Sequence, residues 1–439
     1  MPTILGRLSL LVAGILVPLL LLEIGVRLTG LAPSPEPNPA IWQPHPLFGW
    51  WHVPHSGGTF RSDFNEFEAD VRINARGLRD REIGYENPEG AVRILSLADS
   101  FGEALQVNLE DTYHKQLETQ LVQTLDKPAQ VLNVGVGGWG TDQEAIFYLA
   151  EGFRYEPDVV LLAFFIRNDV VNNYGPLELE RNGGSQQKEF FALAAAGDLI
   201  PPPLEGKVQP QLETAGRIER IAEPRAVLGQ DGISNDGIYG PDAPPLLPLA
   251  DGLWRVSGLY RFVVPYLRDI PPVVQSLGPS GVLGGEALIR ATHPTTPVPF
   301  FVYQDPPDQR FEAAWKLTEA IIARLRDEVE NRGAQLVVVI IGAPEQVYPS
   351  EWARTVSQNP ALQSITWDLD APNRRLNAFL RAEDIPHLDL LPVFRWTAAQ
   401  SAAPALHFSH DQHWTRAGHR LAAGAIHDFL VGEVFSDGD

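Results

Sequence analysis

Ser100 stands at the end of an apolar run, Arg93-Ile-Leu-Ser-Leu-Ala-Asp-Ser-Phe-Gly102. A serine hydroxyl is a weak nucleophile at neutral pH. It needs a base within hydrogen-bond reach, and the base needs a partner that fixes its tautomer. Asp411 and His413, two apart in His407-Phe-Ser-His-Asp-Gln-His-Trp414, are of the right types for partner and base. An acyl-transfer intermediate also needs donors aimed at its oxygen. The candidates are the backbone N–H groups of Ser100 and Gly138 and the side-chain amide of Asn168. Each stretch has a plainer reading. Asp-Ser and Asn-Asp are ordinary turn formers, and the glycines of Gly135-Val-Gly-Gly-Trp-Gly140 can serve a tight turn alone. His407, His410 and His413 can hold a metal or lie on a polar surface. With Asp411 taken as the partner of His413, an acidic fourth ligand and an activated-water site are not apparent, so neither metal nor cofactor is expected.

The elements around these residues read as repeated strand–turn–helix units. Strands are expected at Ile94–Ala98, Val131–Val136, Val159–Ile166, Gln335–Ile341 and Pro386–Leu391. Helices are expected at Thr112–Thr124, Phe311–Arg332 and Asn373–Ala382, and from Thr415 to about Leu430. Thr141-Asp-Gln-Glu144 has capping-box spacing, and Gly333 is placed to end its helix. This alternation predicts an α/β fold, a parallel sheet with helices on both faces. Ligands then sit beyond the carboxyl ends of the strands, where Ser100 and Asn168 fall. In Ile41–Asn87, Trp42, Trp50, Trp51 and Phe60 suit core packing or stacking on a sugar. Arg79 can reach an anion or pair with an acid.

Leu8 to Val26 is nearly continuous in apolar residues, with Arg7 before it and Arg27 after it. About 20 such residues span a bilayer, and no small-x-small cleavage site follows. A single-pass anchor is expected, with the remainder outside the cytoplasm. The net charge of −21 makes nucleic acid an unsuitable partner, and the absence of cysteine excludes disulfides and thiol catalysis.

Taken together, Asp99-Ser100, Asn133–Gly138, Asn168-Asp169 and Asp411-x-His413 occur in the order in which the SGNH/GDSL hydrolase superfamily carries its motifs. The chain resembles that superfamily over roughly 93–169 and 335–430. The resemblance implies a flavodoxin-like three-layer α/β/α sandwich. It also implies Ser100 as nucleophile, Gly138 and Asn168 in the oxyanion hole, and His413 with Asp411 completing the triad. There are two departures. Ala98 replaces the glycine of Gly-Asp-Ser, and Asp-x-x-His is shortened to Asp411-Gln412-His413. The shorter spacing resembles that of membrane-associated polysaccharide O-acetyltransferases of the alginate-modifying type.

The expected organisation is a transmembrane anchor or uncleaved signal at 1–30, a linker and small β-rich segment at 31–90, a first half-domain at 91–171, a Pro/Gly-rich insertion or cap at 172–308, and a second half-domain at 309–432. The expected activity is hydrolysis of an ester, such as an acylated saccharide. An extracytoplasmic O-acyltransferase using the same triad and a non-catalytic binding protein on the same fold are the alternatives.

Overall fold

Continuous apolar runs closed by turn residues become the central strands of one parallel sheet. The computed structural model describes residues 4–88, 90–181, 188–194, 196–202, 244–284, 298–359 and 362–435. Helix α1 is Ile4–Thr29. Four short strands follow: β1 Trp42–His45, β2 Gly49–His52, β3 Gly57–Arg61 and β4 Glu68–Arg72. Next come β5 Val92–Ala98, α2 Ser100–Glu103, α3 Tyr113–Leu125, β6 Ala129–Gly135, α4 Thr141–Ala150, β7 Val159–Phe165 and α5 Asp169–Asn173. After these lie α6 Leu247–Val256, α7 Gly258–Arg268 and α8 Pro271–Leu277. The chain continues through α9 Gln309–Glu330, β8 Gln335–Ile341, α10 Ala371–Ala382, β9 His387–Asp389, α11 Leu391–Ala398 and α12 Arg416–Phe429.

The chain divides into two compact units. One comprises Met1–Asn38, Arg61–Glu68 and Gln230–Pro294; the other comprises Pro39–Phe60, Ala69–Gly229 and Thr295–Asp439. Of the expected 172–308 insertion, residues 182–187, 195, 203–243 and 285–297 lie outside the described residues. In the first unit, α1 is long and apolar enough over Leu10–Thr29 to cross a membrane.

The larger unit holds the sheet, in the order β9-β8-β7-β5-β6 and parallel throughout. Numbered from β5, this is the 2-1-3-4-5 order of flavodoxin-like folds, whose switch point lies between the first and third strands. The period-2 alternation of a strand sends successive side chains to opposite faces. On one face Ile94, Val131, Leu161 and Val337 pack with Leu117, Leu121, Ala422 and Ile426 of α3 and α12. On the other, Leu95, Leu132, Leu162 and Val338 pack with Ile146, Phe147, Leu317 and Ile321 of α4 and α9. The result is a three-layer α/β/α sandwich with a flavodoxin-like sheet order.

Most expected elements form where the pattern places them. Three details differ. Thr112 precedes α3, but its hydroxyl returns to the Leu109 carbonyl at 2.7 Å instead of capping the helix. The expected capping box is displaced by one residue. Gly140 is the cap of α4, its N–H donates to Gln143 Oε1 at 3.2 Å, and Glu144 turns into the interior. The fifth strand shrinks to three residues, and Leu391 opens α11.

The short helix α2 lies directly on β6. A Cβ added at Gly135 would fall 2.0 Å from the Glu103 nitrogen and 2.2 Å from the Gly102 carbonyl carbon. Both obstacles are backbone, so relief requires α2 to move. Gly135→Ala is expected to destabilise the protein by about 1–3 kcal/mol, a typical cost of overpacking. Denaturant unfolding of the full chain in detergent checks this; an unchanged midpoint contradicts the close approach.

Candidate active site

Strand β5 ends at Ala98, Asp99 makes the turn, and Ser100 is the first residue of α2. The Asp99 side chain accepts from the Phe101 N–H at 2.8 Å, which caps that short helix. Ala98 occupies the family's glycine position because the space it needs is left elsewhere. A Cβ at Gly102 would lie 2.3 Å from the Ala98 Cβ.

The β-rich segment holds α2 from its other end. Arg79 is buried and donates from Nη1 to the carbonyls of Glu103 and Ala104, at 2.6 Å each. It therefore grips backbone carbonyls rather than serving as the free anion-binding group that the sequence allowed. Glu103 is buried as well, and its Oε1 accepts from Trp42 Nε1 at 2.8 Å and lies 2.7 Å from His52 Nε2. The other nitrogen of His52 lies 2.8 Å from the Gly77 carbonyl. Trp50 Nε1 donates to the Gly137 carbonyl at 3.0 Å. Trp42, Trp50 and Trp51 are all buried and belong to the core, which leaves them no surface for a sugar.

The loop before α12 brings its residues to Ser100. His407 and Trp414 form an antiparallel bridge, and Phe408 N–H donates to the His413 carbonyl at 2.9 Å. Gln412, at the tip, has φ of 70°. That left-handed residue turns the shortened Asp-x-His spacing into a workable geometry. Asp411 Oδ1 lies 3.2 Å from the His413 backbone nitrogen and 2.7 Å from Nδ1. On its far side, His413 Nε2 is 2.8 Å from Ser100 Oγ. Ser100, His413 and Asp411 thus form one continuous hydrogen-bonded chain. His407 instead packs edge-on against Tyr348, while both ring nitrogens of His413 face Asp411 and Ser100. The His407/His413 spacing therefore does not gather these rings around a common point.

The two remaining candidates lie at the same end of the sheet. Gly138 has φ of 77°, a value that favours glycine, and its carbonyl accepts from Asn172 Nδ2 at 2.8 Å. Asn168 follows β7 and donates from Nδ2 to Asp99 Oδ2 at 3.3 Å. Gln106 reaches Asp411 Oδ2 at 3.4 Å. Arg167 donates to Glu345 at 3.0 Å and to Gln412 at 3.1 Å, which ties the 411–413 turn to the end of β7. Sequence reading missed the contacts of Gln106, Gln412 and Arg167, whose partners lie far away in the chain.

Burial alone pushes the Asp411 carboxyl up, but the adjoining His413 overrides it and leaves the group below its ordinary value. Burial likewise pushes His413 down, and the Asp411 charge and hydrogen bond outweigh it, so the imidazole sits above its ordinary value. This is the polarity that a base with an ionised partner requires.

The C-terminal part of the chain, residues 300–436, matches the family model described as the SGNH hydrolase-like domain of the acetyltransferase AlgX. That stretch is similar to an SGNH hydrolase-like domain. The matched stretch contains β8, β9, Asp411, His413 and α12; Ser100, Gly138 and Asn168 precede it. No curated protein sequence matches. Among solved structures, a GDSL-like lipase from Bacteroides thetaiotaomicron aligns at 9% identity and a TM-score of 0.32, covering 80% of this chain and 93% of that one. The acetyl xylan esterase AlAXEase aligns at 10% and 0.35, covering 78% and 100%. A catalytic mutant of the acetylxylan esterase Axe2 from Geobacillus stearothermophilus aligns at 10% and 0.34, covering 77% and 94%. The family match lies over the part of the chain that carries Asp411 and His413.

Behind the SGNH motifs lies a group of buried carboxyls: Asp99, Asp142, Glu144 and Asp169. Lys188 Nζ binds both oxygens of Asp142, at 2.5 and 2.7 Å. Glu144 has no side-chain partner among the described residues. Burial, followed by the charges of Asp99 and Asp142, raises its pKa well above the ordinary value. Burial, then Glu144 and Asp99, does the same to Asp169.

A carboxyl with a raised native pKa keeps its proton where the unfolded chain has lost it. Stability then falls as pH rises from the unfolded pKa toward the folded one. Glu144→Gln removes that loss. The Tm of the variant minus that of the wild type is expected to grow as pH rises above the ordinary carboxyl range. Paired thermal melts check this, and a constant or shrinking difference contradicts a protonated Glu144.

Proposed function

We propose that this protein is a serine esterase of the SGNH type, hydrolysing an ester of a small molecule or saccharide. The observation that carries the reading is the chain of contacts from Asp411 through His413 to Ser100, at 2.7 and 2.8 Å. Ser100 Oγ attacks the ester carbonyl as His413 Nε2 takes its proton. The Ser100 and Gly138 N–H groups and Asn168 Nδ2 donate to the oxyanion. As the tetrahedral intermediate collapses, the C–O bond to the alcohol breaks. His413 gives the alcohol its proton, and an acyl group remains on Ser100. Water, deprotonated by His413, then releases the acid.

A second reading is O-acyl transfer, in which a saccharide hydroxyl takes the place of water. It is favoured by the match of 300–436 to a domain described from an acetyltransferase and by the Asp-x-His spacing. The two readings share every step up to the acyl-enzyme. In both, α1 anchors the chain as a single span and the catalytic unit works outside the cytoplasm.

With a short-chain aryl ester and the full chain in detergent, Ser100→Ala is expected to lower kcat by roughly 10³-fold or more with an unchanged Tm. Wild-type turnover by that variant removes the nucleophile. Faster aryl alcohol release with added oligosaccharide, accompanied by acylated sugar, selects transfer over hydrolysis. The base must be neutral, so activity falls as pH drops through the His413 pKa, which lies above the ordinary histidine value. Asp411→Asn removes the charge that raises it. The acid limb of kcat/KM is expected to move to lower pH while the plateau falls. A limb that stays in place dissociates Asp411 from the base.

A further inference from the structure

The smaller unit contains a helix that buries an arginine and exposes apolar side chains. A surface helix ordinarily turns arginine outward and apolar residues inward. In α7, Arg261 is buried, with Nε on the Pro33 carbonyl at 2.8 Å and Nη1 on the Trp254 carbonyl at 2.7 Å. Arg268 spends Nε on the Leu283 carbonyl at 2.7 Å. The exposed positions within the helix, Val263 and Tyr266, are apolar, and just beyond its end Ile270 is exposed beside the exposed Asp269. Spacings of three and four place them on one stripe. Among the described residues, Phe64 meets Tyr266 edge-on, with ring centroids 5.3 Å apart. Helix α6 adds Leu249, 52% exposed, and Val256, 66% exposed.

This apolar surface is bonded to the end of the apolar helix α1. The Glu23 carboxylate accepts from Ser257 Oγ and from the Gly258 and Leu259 N–H groups, at 2.8 Å each, and so caps α7. Arg27 pairs with Glu23 and donates to the Val256 carbonyl. The α6–α7 junction is therefore fixed at the level of Glu23 and Arg27, the last charged pair of the Leu10–Thr29 segment. The neighbouring α1 residues Leu20, Leu21 and Ile24 are themselves exposed and apolar. A helix held at the end of a span, with apolar side chains outward and arginines satisfied by carbonyls, has the chemistry of the headgroup–acyl boundary.

We propose that α6–α8 form a platform lying in the plane of the membrane, seated in the bilayer surface beside the span. The occupant of the apolar stripe is lipid. This rests on α1 being a membrane span and is independent of the esterase chemistry. Apolar insertion drives it, so zwitterionic lipid suffices.

The chain has no cysteine, so single cysteines report cleanly. Full-length Val263→Cys, Ile270→Cys and Val256→Cys proteins would carry a nitroxide label in phosphatidylcholine vesicles. Leu16→Cys in α1 and Lys127→Cys on the larger unit serve as lipid and water references. The ratio of collision with oxygen to collision with a water-soluble nickel chelate is expected to be several-fold higher at 256, 263 and 270 than at 127, approaching that at 16. Ratios equal to that at 127 overturn the platform, provided 16 reads as lipid. Protection from both reagents also overturns it and points to a second protein surface over the stripe. A water-like reading at 16 removes the span, and the platform with it. All three cysteines replace exposed residues, and circular dichroism of each labelled protein verifies its fold.

Discussion

The close approach of α2 to β6 is the constraint on which the site depends. For Ser100 to stand at the mouth of the sheet, the chain must pass from strand to helix across the single residue Asp99. The backbone of that helix must then lie on the backbone of the neighbouring strand. Gly135 leaves the room, and Gly102 leaves room for Ala98, which explains how a side chain is accommodated at the usual glycine. The β-rich segment locks the arrangement from outside, with Arg79 on the carbonyls closing α2 and Trp42 and His52 on the Glu103 carboxylate. These groups are buried and mutually satisfied, so removing one partner strands another. Residues far from any chemistry thus set the position of the serine.

Electrostatics divides the site in two. In front, Asp411 is held below its ordinary pKa by His413, and His413 above its own by Asp411. Behind, Glu144 and Asp169 are pushed toward the neutral form by burial and by each other's company with Asp99. An anion developing on an ester oxygen would therefore not face a full set of negative charges. The buried pair of Lys188 with Asp142 removes one more. The same low dielectric that makes unpaired charge expensive makes each remaining donor to that oxygen more effective.

The strands were legible because a buried parallel strand is written locally, as an uninterrupted apolar run such as Val159–Phe165. So was the order of the candidate residues along the chain. Thr415 was readable as a cap, and it accepts from Ala417 and Gly418. What escaped reading depends on distant partners. Glu144 had the spacing of a cap residue, yet the packing of α4 on the sheet took it inside. Arg79 lay in a recognisable turn, but its carbonyl partners are more than twenty residues away. The left-handed turn at Gln412 makes the two-residue Asp-His spacing work, and nothing in a non-glycine residue announces that conformation. The smaller unit was hidden for a related reason: its stretches, Met1–Asn38, Arg61–Glu68 and Gln230–Pro294, are far apart in the chain.

The central claim is that His413 activates Ser100 as a nucleophile toward acyl carbon. A fluorophosphonate applied to the full chain in detergent tests this most directly, with the adduct mapped by peptide mass spectrometry. The account predicts a single adduct on Ser100 that forms rapidly in the wild type and is suppressed in folded His413→Ala. An adduct on another residue, or equal labelling of Ser100 in both proteins, would contradict it.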